Sequence, residues 1–316
     1  MKAANFLFCA LLLMSLTACS IFKPDNSPAI IVPTDANPDA PPLYLETTRV
    51  DEVGRIVVPV MVNEQGPFYF MLDTGASNTV IAHDLAQTLG LTTKDLPPTA
   101  VRGVTGVTLA PTTRITSLRA GELHFNDLRV AILLGPIMDG LDGILGVEGL
   151  TDKKITADLA NDQITIAASM GAPAGAHHVV IPFELLPSRA IVVAAKVGKV
   201  PVKAVIDTGG VHTLGNRALL DAVNAANRRD RQRQWYGLPT RVIDVTDSEH
   251  AALLMRVPRI ALGEAAVVNL PVTFSEFQIF KLWGLQNQPA LLIGMDVLGL
   301  LGELTIDYGR KEIHLR

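Results

Sequence analysis

Two short stretches hold the residues most able to do chemistry. Leu72-Asp73-Thr74-Gly75 returns as Ile206-Asp207-Thr208-Gly209, the two aspartates standing 134 residues apart. Each follows an apolar run, so each delivers a carboxylate at the end of a buried element, where a glycine lets the chain turn sharply. A lone Asp-Thr-Gly is ordinarily a turn. Two copies in matching surroundings ask for another explanation, and each is followed by an apolar-apolar-Gly triplet, with Gly146 73 residues after Asp73 and Gly294 87 after Asp207.

The match extends along the chain. Ile115, Leu118, Gly121, Glu122, Leu128 and Val130 correspond to Val257, Ile260, Gly263, Glu264, Leu270 and Val272 at an offset of 142. Ile144-Leu145-Gly146 corresponds to Leu292-Ile293-Gly294 at 148, and Ile155-Thr156-Ala157-Asp158 to Leu304-Thr305-Ile306-Asp307 at 149. Offsets that only grow describe one module duplicated, with loop insertions in the second copy. Each copy is strand-rich: Ile56 to Val62 and Phe68 to Leu72 flank a turn signal at Asn63 to Gly66, and Ile191 to Val197 and Val200 to Ile206 flank Gly198-Lys199. Helices are predicted only after the Asp-Thr-Gly segments, over Ala82 to Leu89 and Arg217 to Asn227. Gly171 to Ala176 has a linker's composition, which sets lobes at 44–170 and 177–316.

With 27 basic and 31 acidic residues the net charge is −4, which excludes a basic nucleic-acid surface. The 48% hydrophobic content supports a large core, and the length favours two domains. Both cysteines, Cys9 and Cys19, precede the folded body, leaving it no disulfide, thiolate metal site or catalytic cysteine. The apolar run Phe6 to Met14 is too short to span a bilayer, for which about 20 residues are needed, and reads as a secretory signal over 1–18. Leu16-Thr17-Ala18-Cys19 resembles a bacterial lipobox, which implies lipidation and cleavage at Cys19, with Ser20 resembling the sorting residue of outer-membrane lipoproteins. The proline-rich stretch to 43 reads as a tether.

Taken together, the repeated motifs resemble those of the aspartic proteases of the pepsin and retropepsin clan, over residues 50–316. The resemblance implies an all-β fold with short helices: two homologous closed β-barrel lobes with a cleft between them. It implies that Asp73 and Asp207 face each other as a catalytic dyad sharing one proton, as two carboxyls too close to ionise together do throughout that clan. Thr74 and Thr208 would hydrogen-bond across the lobe interface, and Gly75 and Gly209 would let backbone amides reach the carboxylates. A flap over the substrate falls at Val101 to Val107, with Arg102, Gly103, Val104, Thr105 and Gly106 at its tip and two glycines suited to motion. Its counterpart, Ile243 to Asp247, lacks glycine, and the first flap lacks the tyrosine of the pepsin pattern. No cofactor or metal is implied; the expected partners are a peptide or protein substrate and, through Cys19, the membrane, for a monomer facing the periplasm.

Other features carry less. Gly140, Gly143, Gly146 and Gly149 lack dinucleotide-site spacing and read as turns. Arg228, Arg229, Arg231 and Arg233 read as a solvated helix end, and His177, His178 and His212 have no metal-ligand spacing, though His212 could line the cleft. The competing reading is a silent peptide-binding lipoprotein with the same two-lobed cleft, since Gly210 and Val211 make the second motif the weaker match.

Overall fold

The structure, a computed structural model, describes residues 54–316 apart from 95, 136, 137, 139, 230–236 and 245–248, with five short stretches of backbone in the first 50 residues. Cys19 and its lipobox lie outside the described residues. So do most of the tether, Arg231, Arg233 and Val245-Thr246-Asp247.

Strands with the alternating burial of one-sided sheets build two six-stranded closed barrels. In the first, Ile56–Val62 pairs with Gln65–Leu72, which pairs in parallel with Gly143–Leu145. Val80–Ala82, Leu123–Leu133 and Thr112–Ala120 follow, and the last closes back on Ile56–Val62. The second barrel repeats this order with Ile191–Val197, Val200–Ile206, Ala290–Ile293, Leu214–Asn216, Ala265–Ser275 and Glu249–Leu262. Closure leaves neither sheet a free edge at these strands.

A shared sheet joins the barrels. Lys153–Asp158 pairs antiparallel with Glu303–Asp307, so Ile155 faces Ile306, Thr156 faces Thr305 and Ala157 faces Leu304. The two strands are repeat counterparts, and of these pairs Thr156 and Thr305 are also counterpart residues. The Thr305 hydroxyl lies 3.1 Å from that of Thr156, where a local two-fold axis passes.

The helix after the first motif, His83–Thr88, has six residues, and the one after the second, Arg217–Arg229, has thirteen. Their N-caps differ as well. Ala82 offers no side-chain cap, whereas Asn216 accepts from the Leu219 N–H at 2.8 Å and, through its amide nitrogen, ties down the carbonyls of Leu285 and Gln288. Two helices depart from the pattern-based reading: Gln278–Leu282 and Met295–Leu298 are helical in the second lobe only. Apolar segments of four or five residues do not reveal their period.

Candidate active site

Both aspartates stand at the ends of parallel strand pairs buried in the barrels. The Asp73 N–H donates to the Leu145 carbonyl and that of Asp207 to the Ile293 carbonyl, each at 3.0 Å, so the apolar-apolar-Gly triplets are the strands that hold the aspartates in place. Beyond each aspartate the chain doubles back. Gly75 and Ala76 N–H groups donate to Asp73 Oδ1 at 2.7 and 3.0 Å; Gly209 and Gly210 do the same for Asp207 Oδ1 at 3.0 and 3.1 Å.

The threonines cross between lobes. Thr74 Oγ1 donates to the Ile206 carbonyl at 2.8 Å and accepts from the Thr208 N–H at 3.1 Å. Reciprocally, Thr208 Oγ1 donates to the Leu72 carbonyl at 2.7 Å and accepts from the Thr74 N–H at 3.1 Å. Four hydrogen bonds, all buried, therefore fix one motif against the other. They bring the carboxyl groups together: a Cβ built on Gly209 would lie 2.4 Å from Asp73 Cγ, so only glycine permits this approach.

Asp73 and Asp207 are both fully buried. Burial first, and then the charge of Asp73 and a hydrogen bond to its carboxyl, push the pKa of Asp207 well above the ordinary range. Two ionised carboxylates in such a place would be costly. Asp207 Oδ2 is buried with no donor among the described residues, as suits an oxygen whose partner is another carboxyl and whose hydrogen bond requires one shared proton. The buried Tyr308 phenol is pushed up by burial and then by the charge of Asp73.

The first flap is a hairpin of Thr99–Arg102 and Val107–Ala110, its turn closed by the Gly103 N–H on the Gly106 carbonyl at 2.9 Å. Arg102, Thr105 and Gly106 are half-buried, while Gly103 and Val104 are buried. The tip is docked on the second lobe. Val104 is fully buried with Val192, Val205, Leu214, Phe277 and Leu292, and its carbonyl accepts from the Ile279 N–H at 3.1 Å. Leu292 leads back to the dyad, since a Cβ on Gly210 would lie 3.2 Å from it and 3.1 Å from Asp207 Oδ2. Val104 thus anchors the flap tip in an apolar cluster of the second lobe.

Asp244, at the end of the second flap's first strand, holds the tip by accepting from the Thr105 N–H. A Cβ on Gly103 would come within 2.2 Å of its carboxylate, so this glycine supplies room as well as freedom. Replacing Asp244 by Ala is expected to speed amide exchange at Thr105 about tenfold or more and to leave the barrel strands unchanged, because one charge-assisted bond is lost locally. Unaltered exchange would mean that Val104 alone holds the tip.

His212 is half-buried, and burial lowers its pKa; His178 lies apart from the dyad, paired with Glu303 at 2.9 Å. A groove of about 1090 Å³ lined by Arg217, Asp221, Glu276 and Lys281 takes in neither aspartate.

Sequence reasoning missed two acids. Glu148 and Asp296 stand two residues beyond Gly146 and Gly294, at the same offset of 148, and each accepts from the backbone N–H of a repeated threonine, Thr79 or Thr213. Their spacing was the available signal; the change from Glu to Asp hid it.

Residues 58–148, which carry Asp73, its loop, the first flap and the first triplet, match the model of a family described as aspartyl protease. No curated protein matches the chain.

Proposed function

We propose that the chain is an aspartic endopeptidase in which Asp73 and Asp207 activate one water to hydrolyse peptide bonds. The observation that carries this reading is the pair of buried carboxyls, each with two backbone donors on one oxygen and held together by the crossed threonines. The pair carries one proton, and the surroundings of Asp207 favour its acid form. The ionised carboxylate takes a proton from the water as it attacks the scissile carbonyl, and the protonated one donates to the carbonyl oxygen. The substrate's extended backbone lies between the first flap and the dyad. Neither aspartate forms an acyl-enzyme.

Thr74, Gly75, Thr208 and Gly209 support the dyad, and Arg102 to Gly106 contact substrate. The signal peptide, the lobes at 44–170 and 177–316, and lipidation of Cys19 belong to the same proposal: a monomer tethered to the outer membrane and facing the periplasm.

Ala76 and Gly210 stand where a hydroxyl residue would stabilise the ionised carboxylate, and neither supplies one. Cleavage of a single peptide, followed from about pH 2 to 9, is therefore expected to give a bell-shaped kcat/KM profile with its maximum at about pH 5 to 7. A maximum near pH 2 to 3 would contradict this picture of the dyad, and no cleavage at any pH would favour the silent peptide binder.

A further inference from the structure

Glu148 is a buried acid and Asp296 a half-buried one, and the reaction described above uses neither. We propose that they are positioning residues, each clamping the loop of its own aspartate against the triplet that follows, so that the backbone donors stay on the aspartate. This rests on the endopeptidase reading.

The clamp is a closed circuit in each lobe. In the first, the Ala76 N–H donates to Asp73 Oδ1 and the Ala76 carbonyl accepts from the Val147 N–H at 2.9 Å. Val147 lies between Gly146, whose N–H donates to Thr79 Oγ1 at 3.2 Å, and Glu148, which accepts from the Thr79 N–H and hydroxyl. In the second, Gly210 donates to Asp207 Oδ1 and accepts from the Met295 N–H at 2.7 Å. The Gly294 N–H donates to Thr213 Oγ1 at 3.3 Å, and Asp296 accepts from the Thr213 N–H at 2.8 Å and hydroxyl at 2.7 Å. A turn that needed only closure could use a neutral acceptor, yet both copies hold a carboxyl.

The two copies differ. Both oxygens of Asp296 are engaged, whereas Glu148 Oε2 is buried with no hydrogen-bond partner among the described residues. Glu148 is also the one that faces a charge from the opposite lobe, that of Arg189. Arg189 follows Ser188, whose carbonyl accepts from the Ser77 hydroxyl at 2.9 Å, so this contact joins the lobes beside the first aspartate loop. Asp296 has Thr213 and the Val297 N–H as partners. Burial pushes Glu148 up to about 7 and Asp296 up to about 6. Both acids are mostly protonated at about pH 5, and Asp296 ionises before Glu148 as the pH rises. As they ionise, negative charge arises behind each aspartate and disfavours loss of the proton that the dyad still shares, so the singly protonated pair persists to higher pH.

The test is kcat and KM from pH 4 to 9 on one peptide that the full-length chain cleaves in detergent. Glu148→Gln keeps an acceptor for Thr79 and cannot ionise. It is expected to keep KM and to move the basic limb of the profile down by about one pH unit. Glu148→Leu removes the acceptor and is expected to lower kcat at least about tenfold, with KM little changed, as outer-shell losses do. A Gln profile superimposed on wild type, or a folded Leu variant with wild-type kcat, overturns the proposal. If Leu does not fold, the Gln profile decides. If the wild-type chain cleaves nothing, the endopeptidase reading fails on its own, and amide exchange at Gly75 and Ala76 in Glu148→Gln decides the clamp: exchange protected as in wild type at pH 5 but about tenfold slower than wild type at pH 8 supports it, and no difference at either pH overturns it.

Discussion

Replacing either Asp73 or Asp207 by Asn is expected to lower turnover by about three orders of magnitude or more, since in the proposed reaction each carboxyl performs a proton transfer that an amide cannot. The fold should survive both changes. Asn keeps an Oδ1 that can accept from Gly75 and Ala76, or from Gly209 and Gly210, at the distances now seen. It also relieves the burial of a second acid beside the first, so each variant should melt at a higher temperature than wild type at neutral pH. This combination, dead and more stable, separates loss of chemistry from loss of structure. An Asp207→Asn chain that cleaves as well as wild type would instead require a dimer using Asp73 twice.

The second large effect is on stability and its pH dependence. Glu148 rises from 4.5 to about 7 on folding, so between these values the folded chain holds a proton that the unfolded chain has released. Stability therefore falls as pH rises through this window, and the full cost is present above about pH 7. At about 1.4 kcal/mol per pKa unit the cost is on the order of 3 kcal/mol, large beside the roughly 5–15 kcal/mol that hold a typical domain. Asp296 and Asp207, both raised by burial, act in the same direction. His212 and His314 are lowered by burial, so below the ordinary histidine pKa they oppose the trend, and Glu312, held down mainly by Arg310, is solvent-screened. The difference between wild type and Glu148→Gln cancels these other groups. Its unfolding free energy, measured at pH 5 and pH 8, is expected to favour the Gln variant at pH 8 by about 2.5 kcal/mol more than at pH 5. Parallel curves would mean that Glu148 does not titrate in the folded chain.

What can be read from the sequence depends on whether a feature is local or repeated. The duplicated Asp-Thr-Gly and the triplets 73 and 87 residues later are legible because strand, turn and strand each recur in order. The long helix was legible too, though its cap, Asn216, mattered more than its periodicity. Contacts between non-equivalent segments were not legible. Gly103 reads as a hinge until Asp244, 141 residues away, is seen to occupy the space its side chain would fill. The shared sheet was hidden for a similar reason: alternation marks Ile155 and Ala157 as one-sided, but only the fold shows that their partners are Ile306 and Leu304. Glu148 and Asp296 fell between these cases, repeated in place but altered in type.

That two carboxyls from two repeats form one reactive pair is tested most directly by a peptide library. The library is incubated with the full-length chain in detergent at about pH 5 to 7 and analysed by mass spectrometry, beside the Asp73→Asn and Asp207→Asn chains. New peptide termini are expected with wild type and none with either variant. Cleavage that persists in both variants, or a library left intact by the wild-type chain, would contradict the pairing of the two aspartates as one catalytic unit.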